Sequence, residues 1–240
     1  MTVTAVLLAI GVLCWVLALV LLRRVGPGYR IARILSAAPV VPLAEARRIA
    51  QEGPPGYVRV QGRVSSDEEF PDENDRPLVF RRRRVEVQDP PGTPWRLVED
   101  ERLAVPFGLE DRHDHLAIDV SALADGLVVI PREGSGRAAD VEAGRLPEGL
   151  PPDTAVRLRL DQVSAVEHAT AAGVPRRGAG GETLLGEGMG RPLVLTTLDL
   201  PEAMRLLSGG HRRELVLATA LFLAGGAALA GSAAVWLAAP

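Results

Sequence analysis

Residues 4–22 read TAVLLAIGVLCWVLALVLL, 19 positions without a charged side chain. At ~1.5 Å rise per residue, such a run spans a hydrocarbon core of ~30 Å as a helix. A second uncharged run, residues 215–239, reads LVLATALFLAGGAALAGSAAVWLAA over 25 positions. Together they predict a membrane protein in which two transmembrane α-helices flank a mostly-β (α+β) soluble domain. The predicted segments are a first span at 4–22, a juxtamembrane stretch with a short helix at 23–56 and a mostly-β domain at 57–200. A short helix and linker at 201–214 and a second span at 215–239 complete the chain.

The flanks separate an anchor from a cleaved signal. A secretory signal needs a basic leader and a small-x-small cleavage site. Here Met-Thr-Val precedes the first run, and Arg23 and Arg24 follow it directly. That pattern predicts a retained span. Inside the runs the chain is basic: Arg23, Arg24, Arg30, Arg33, Arg47 and Arg48 face one acid, Glu45, while Arg205, Arg212 and Arg213 face Glu202 and Glu214. Basic flanks stay in the cytoplasm. The expectation is a multi-pass protein of the cell (plasma) membrane, its middle cytoplasmic and both termini outside. Arg23, Arg24, Arg212 and Arg213 are expected to attract the anionic headgroups of the lipid bilayer, at about 1 kcal/mol each. Small residues four apart, Gly226/Ala230 and Ala227/Gly231, with Ala5 and Ala9 on the first run, predict close packing or self-association through the spans.

Composition excludes several chemistries. The formal charge of −3 is not that of a polybasic nucleic-acid domain. The one cysteine, Cys14, lies inside the first run, so no disulfide, Cys-ligated zinc or soluble cysteine nucleophile is expected. All 27 basic residues are arginine, which removes Schiff-base and P-loop lysines. No cofactor is predicted. The heavy Ala, Arg, Gly and Pro usage suggests a bacterial source.

Between the runs the period changes twice. Residues 42–52, PLAEARRIAQE, place Leu43, Ala46, Ile49 and Ala50 on one face of a helix, stopped by Gly53 and Pro54-Pro55. Residues 57–64, YVRVQGRV, alternate with Val58, Val60 and Val64 on one side, a half-buried strand in which Gly62 marks a bulge or a close backbone approach. A loop with six acids at 65–75 leads to a strand at 78–88, then to alternating residues around 95–107, 116–120 and 156–160. The stretch 133–152 reads as loop and 173–190, with seven glycines, as flexible or turn-rich. A last strand at 193–198 and a helix at 201–207 lead into the second run.

Few side chains suggest chemistry. Asp111, His113 and His115 form the one local cluster able to hold a metal, since histidines at i and i+2 share a strand face. The competing reading is a polar hairpin turn. Glu167-His168 lacks a nucleophile in a Gly-x-Ser-x-Gly elbow. The glycines around 134–136 and 178–190 lack the Gly-Lys-Ser/Thr of a phosphate loop. Arg81, Arg82, Arg83 and Arg84 put charge on both faces of one strand. This predicts a sheet edge or end, either solvated and paired with the acids of 65–75 or binding an acidic partner or headgroups.

The order of these motifs resembles the GIDE family, whose domain is also called BAM, "beside a membrane", and whose eukaryotic members include the mitochondrial E3 ubiquitin ligase mulan. The resemblance rests on VRVQGRV at 58–64, RPLVFR at 76–81, Trp95, PFGLED at 106–111, IDV at 118–120 and ETLLG at 182–186, between the two apolar runs. It implies a β-domain between two spans and a link to ubiquitin-ligase systems. Eukaryotic members carry a RING after the second span; this sequence ends at Pro240 with no cysteine outside residues 4–22, so a RING-less relative is expected. The resulting expectation is a non-catalytic binding or scaffold module with an unnamed protein partner. The alternatives are a component of an E3-related system that needs a separate catalytic partner, and a metal-dependent hydrolase using His113 and His115.

Overall fold

Uncharged leucine- and valine-rich sequence favours a helix wherever its backbone must satisfy itself, and both terminal runs are helical. The computed structural model describes residues 2–123, 126–141, 146–147, 149–178, 180–209 and 212–238. It divides into two units, Met1–Ser36 with Met204–Pro240, and Ala37–Ala203.

In the first unit, α1 (Thr2–Ala37) and α4 (Arg212–Ala238) are each long and apolar enough to cross a membrane. α1 runs on through Gly26-Pro27-Gly28. Proline there removes one helical hydrogen bond. The neighbouring glycine takes a close contact instead: a Cβ on Gly28 would stand 2.8 Å from the Leu207 carbonyl.

The two apolar helices pack along a seam of seven-residue spacing. Gly11 and Ala18 are buried on α1, as are Ala218, Gly225 and Ser232 on α4. Trp15 stacks on Phe222 with ring centroids 5.9 Å apart and donates its indole N–H to the Phe222 carbonyl at 3.3 Å. The Ser232 hydroxyl donates to the Thr4 carbonyl at 3.1 Å. The expected small-residue face is thus displaced. Ala5 and Ala9 are exposed, and a Cβ on Gly226 would meet nothing within 4 Å. A Cβ on Gly225 would instead stand 2.4 Å from the Trp15 ring. Gly225→Leu is therefore expected to cost about 1–3 kcal/mol through overpacking, whereas Gly226→Leu is nearly neutral. Thermal midpoints of the two variants in detergent check this contrast.

Among the described residues the second unit holds α2 (Leu43–Glu52) and twelve strands. These are β1 (Val58–Ser65), β2 (Phe70–Pro71), β3 (Pro77–Gln88), β4 (Arg96–Ala104), β5 (Gly108–Asp111) and β6 (Asp114–Ile118), then β7 (Leu127–Val128), β8 (Arg132–Arg137), β9 (Ala155–Ser164), β10 (His168–Arg177), β11 (Thr183–Gly186) and β12 (Val194–Thr196). A helix α3 (Leu200–Gly209) follows.

The first sheet pairs β1–β5–β6–β11–β10 and returns to β1, so it closes on itself; β12 and β7 extend it from β10. Alternation buries Val58, Val60, Gly62 and Val64 of β1. Gly62 is a close approach rather than a bulge, because a Cβ there would lie 2.9 Å from the Glu110 carbonyl. The interior is filled by Leu109, Leu116 and Leu185, each fully buried. Such a side chain contributes about 1.5–3 kcal/mol by leaving water. Amphipathic α2 closes over this core through Leu43 and Ala46.

The second sheet runs β2–β3–β9–β8, with β4 also on β3. Val79 and Phe80 of β3 and Val163 of β9 enter the main core, while Val85, Val87 and Val156 form a smaller one. Two expectations fail here. The stretch read as loop from 133 begins inside β8, whose six residues are all exposed. Its ladder to β9 holds it without any buried face. Likewise 173–190 contains the end of β10 and all of β11.

Candidate functional site

Strand β3 carries the arginines singled out as a binding patch, and its place in the sheet decides what they do. It is interior and not an edge: β4 and β9 pair along both of its sides. Alternation then sends the four guanidiniums to two faces. Arg82 makes a two-pronged bond to Asp100 of β4 at 2.8 and 2.7 Å. Arg84 pairs with Asp161 of β9. On the opposite face Arg83 meets Glu99 at 2.7 Å, and Arg81 lies over the Phe70 ring at 5.8 Å. The acids come from neighbouring strands, not from residues 65–75. A strand flanked on both sides must satisfy its charges across the ladder, because water reaches them poorly.

The lattice continues along the polar face. Asp161 also approaches Arg159 at 3.7 Å, which in turn lies 3.9 Å from Glu133. Arg157 binds Glu86 and stacks on Trp95 at 4.8 Å. The hydrogen bond from Arg82 holds the Asp100 carboxyl below its ordinary range. The sequence contained the missing partners as EDER at 99–102 and VRLRLD at 156–161.

Asp111, His113 and His115 do not form a metal centre. Asp111 and Asp114 face each other across a two-residue turn, Arg112-His113, so His113 sits in the turn and does not share a strand face with His115. Arg112 occupies left-handed backbone at φ 56°. Asp114 is bound by Arg47 of α2 at 3.0 Å. Among the described residues no three His, Cys, Asp or Glu side chains are grouped to hold a metal. Arg23 is exposed on α1, while the side chains of Arg24, Arg212 and Arg213 lie outside those described.

His115 instead lines a cleft of about 720 Å³ with Phe107, Ile118, Asp67, Asp119 and Glu182. Its residues come from distant segments, which hid it from sequence reading. Burial acts to raise the Asp119 carboxyl, but hydrogen bonds from Ser121 and Arg176 outweigh it and hold the group below its ordinary range. Asp72 is likewise held low, first by the backbone N–H of Arg76. Burial pushes the Tyr57 hydroxyl up to about 12, against the opposing charge of Arg191. That hydroxyl lies 2.7 Å from the Pro192 carbonyl and 3.0 Å from that of Ala172, a structural tie between β10 and the approach to β12.

No family model, no curated protein and no solved structure matches this chain.

Proposed function

We propose that the chain is a membrane-anchored, non-catalytic scaffold or binding module. In this reading α1 and α4 span the plasma membrane, the β-domain stands in the cytoplasm and both termini lie outside. The chain is a bacterial relative of the GIDE/BAM family. The observation that carries the anchoring is the outer surface of the helix pair. Leu8, Leu13, Val16 and Leu19 of α1 are 51–58% exposed, as are Leu217 and Leu223 of α4 at 56 and 72%. A continuous apolar surface of that kind needs a lipid solvent. The ion-pair lattice on β3 supports the scaffold reading: its charges pair with one another instead of converging on a reacting centre.

Extraction of native membranes with alkaline carbonate is expected to leave the protein in the pellet. A periplasmic reporter fused after Pro240 is expected to be active. Release into the supernatant removes the anchor reading, and a fusion reporting cytoplasm reverses the orientation. Crosslinking from native membranes addresses the partner. Recovery of ubiquitin-like conjugation enzymes would replace the scaffold reading with the E3-related one.

A further inference from the structure

A second cleft, of about 580 Å³, opens where β3, β8, β9 and β10 meet, and the proposed scaffold role makes no use of it. Two arginines stand on its lining, Arg76 and Arg132, with side chains 47 and 48% exposed. Both reach one carboxylate, Asp72, whose side chain is 2% exposed. Asp72 is almost fully subscribed. One oxygen accepts the backbone N–H groups of Asn74 at 2.7 Å and Arg76 at 3.0 Å, and the other accepts the Arg76 guanidinium at 2.9 Å. Arg132 stands 3.6 Å away, beyond hydrogen-bond reach. Its guanidinium is attracted to Asp72 and, among the described residues, makes no hydrogen bond of its own.

The rest of the lining is amphipathic in a consistent way. Gln162, Thr197 and His168 bring further donors, and their side chains make no hydrogen bond among the described residues. The one acid on the lining, Glu167, accepts the Ser164 N–H at 3.3 Å. Leu78 and Val129 form a buried apolar floor. Ile130 and Val166 stand at the cleft 59 and 57% exposed. A pocket lined by several donors, a guanidinium and large exposed apolar side chains suits a ligand with an anionic head and an apolar body.

We propose that this cleft binds an anionic lipid. The headgroup phosphate is held by Arg132 with Gln162 and Thr197, and the first part of the acyl chain lies against Ile130 and Val166. The proposal stands apart from the anchoring by α1 and α4, since it concerns the β-domain alone.

Calorimetric titration of the full chain in a neutral detergent tests it, with dihexanoyl phosphatidic acid, dihexanoyl phosphatidylcholine and inorganic phosphate as separate probes. The expected result is saturable binding of the acidic lipid, at least tenfold tighter than either of the other two. Arg132→Ala is expected to weaken it at least tenfold and Ile130→Asp at least threefold, with urea midpoints unchanged. Both positions are exposed, so folding is not at stake. Absence of saturable binding, equal affinity for the choline lipid or for inorganic phosphate, or undiminished binding in Arg132→Ala would each overturn the proposal.

Discussion

Gly126→Ala is expected to cost more than about 4 kcal/mol, a large share of the stability of an ordinary domain. The reason is a backbone-to-backbone approach that no side chain can relieve. A Cβ on Gly126 would stand 1.7 Å from the Leu193 carbonyl oxygen and 2.8 Å from its carbonyl carbon. The same glycine accepts the Leu195 N–H at 2.9 Å, the bond that begins the parallel pairing of β7 with β12. Leu193, Val194 and Leu195 are all fully buried. Making room for one methyl group therefore moves β7 off β12 and opens the main core. Gly134→Ala is the matched control, because its nearest contact would be the Leu158 Cβ at 4.0 Å on an exposed strand. It should change stability by no more than about 1 kcal/mol, in the stabilising direction. Urea midpoints of the two variants decide the matter. A Gly126→Ala loss below about 1 kcal/mol would mean that the two backbones are not in contact.

That close approach was invisible in the sequence, where Gly126 is one of 25 glycines. Gly62 was legible because it interrupts an apolar face of period two and so announces something unusual at a definite place. The same logic explains which strands could be read. β1 alternates because one of its faces is buried. β8, REGSGR, has no buried face and hence no pattern to print in its sequence; its ladder with β9 alone holds it. β3 was legible as a strand but not as an interior one. Interior position depends on what pairs with it, and the partners of Arg83 and Arg84 lie 16 and 77 residues away. In the apolar helices, small residues four apart point to Gly226, whereas the packed seam repeats every seven and selects Gly11 and Gly225. The histidine pair failed as a metal motif for a local reason: the turn takes His113 out of the strand.

Asp161→Ala is expected to cost about 2–4 kcal/mol, the second largest effect of a single side chain on the β-domain. In the ladder Arg84 stands directly opposite Arg159, and Arg82 directly opposite Asp161. Like charges facing each other across strands repel. Asp161 offsets that repulsion by bonding Arg84 and lying 3.7 Å from Arg159. Its side chain is 10% exposed, so little water replaces it when it is removed. The 41% exposure of Arg159 keeps the loss below that of a fully buried pair, since solvent screens part of the remaining charge. Two further measurements separate charge from packing. Raising the salt concentration should recover part of the Asp161→Ala loss, because screening weakens the uncompensated Arg84–Arg159 repulsion. Arg84→Met combined with Asp161→Leu should be more stable than Asp161→Ala alone, because an apolar pair leaves no unpaired charge on the strand. If the single variant loses under about 1 kcal/mol and ignores salt, the arginines of β3 do not depend on Asp161. The charge of Arg84 would then be available to an outside partner, in line with the binding-patch expectation for this strand.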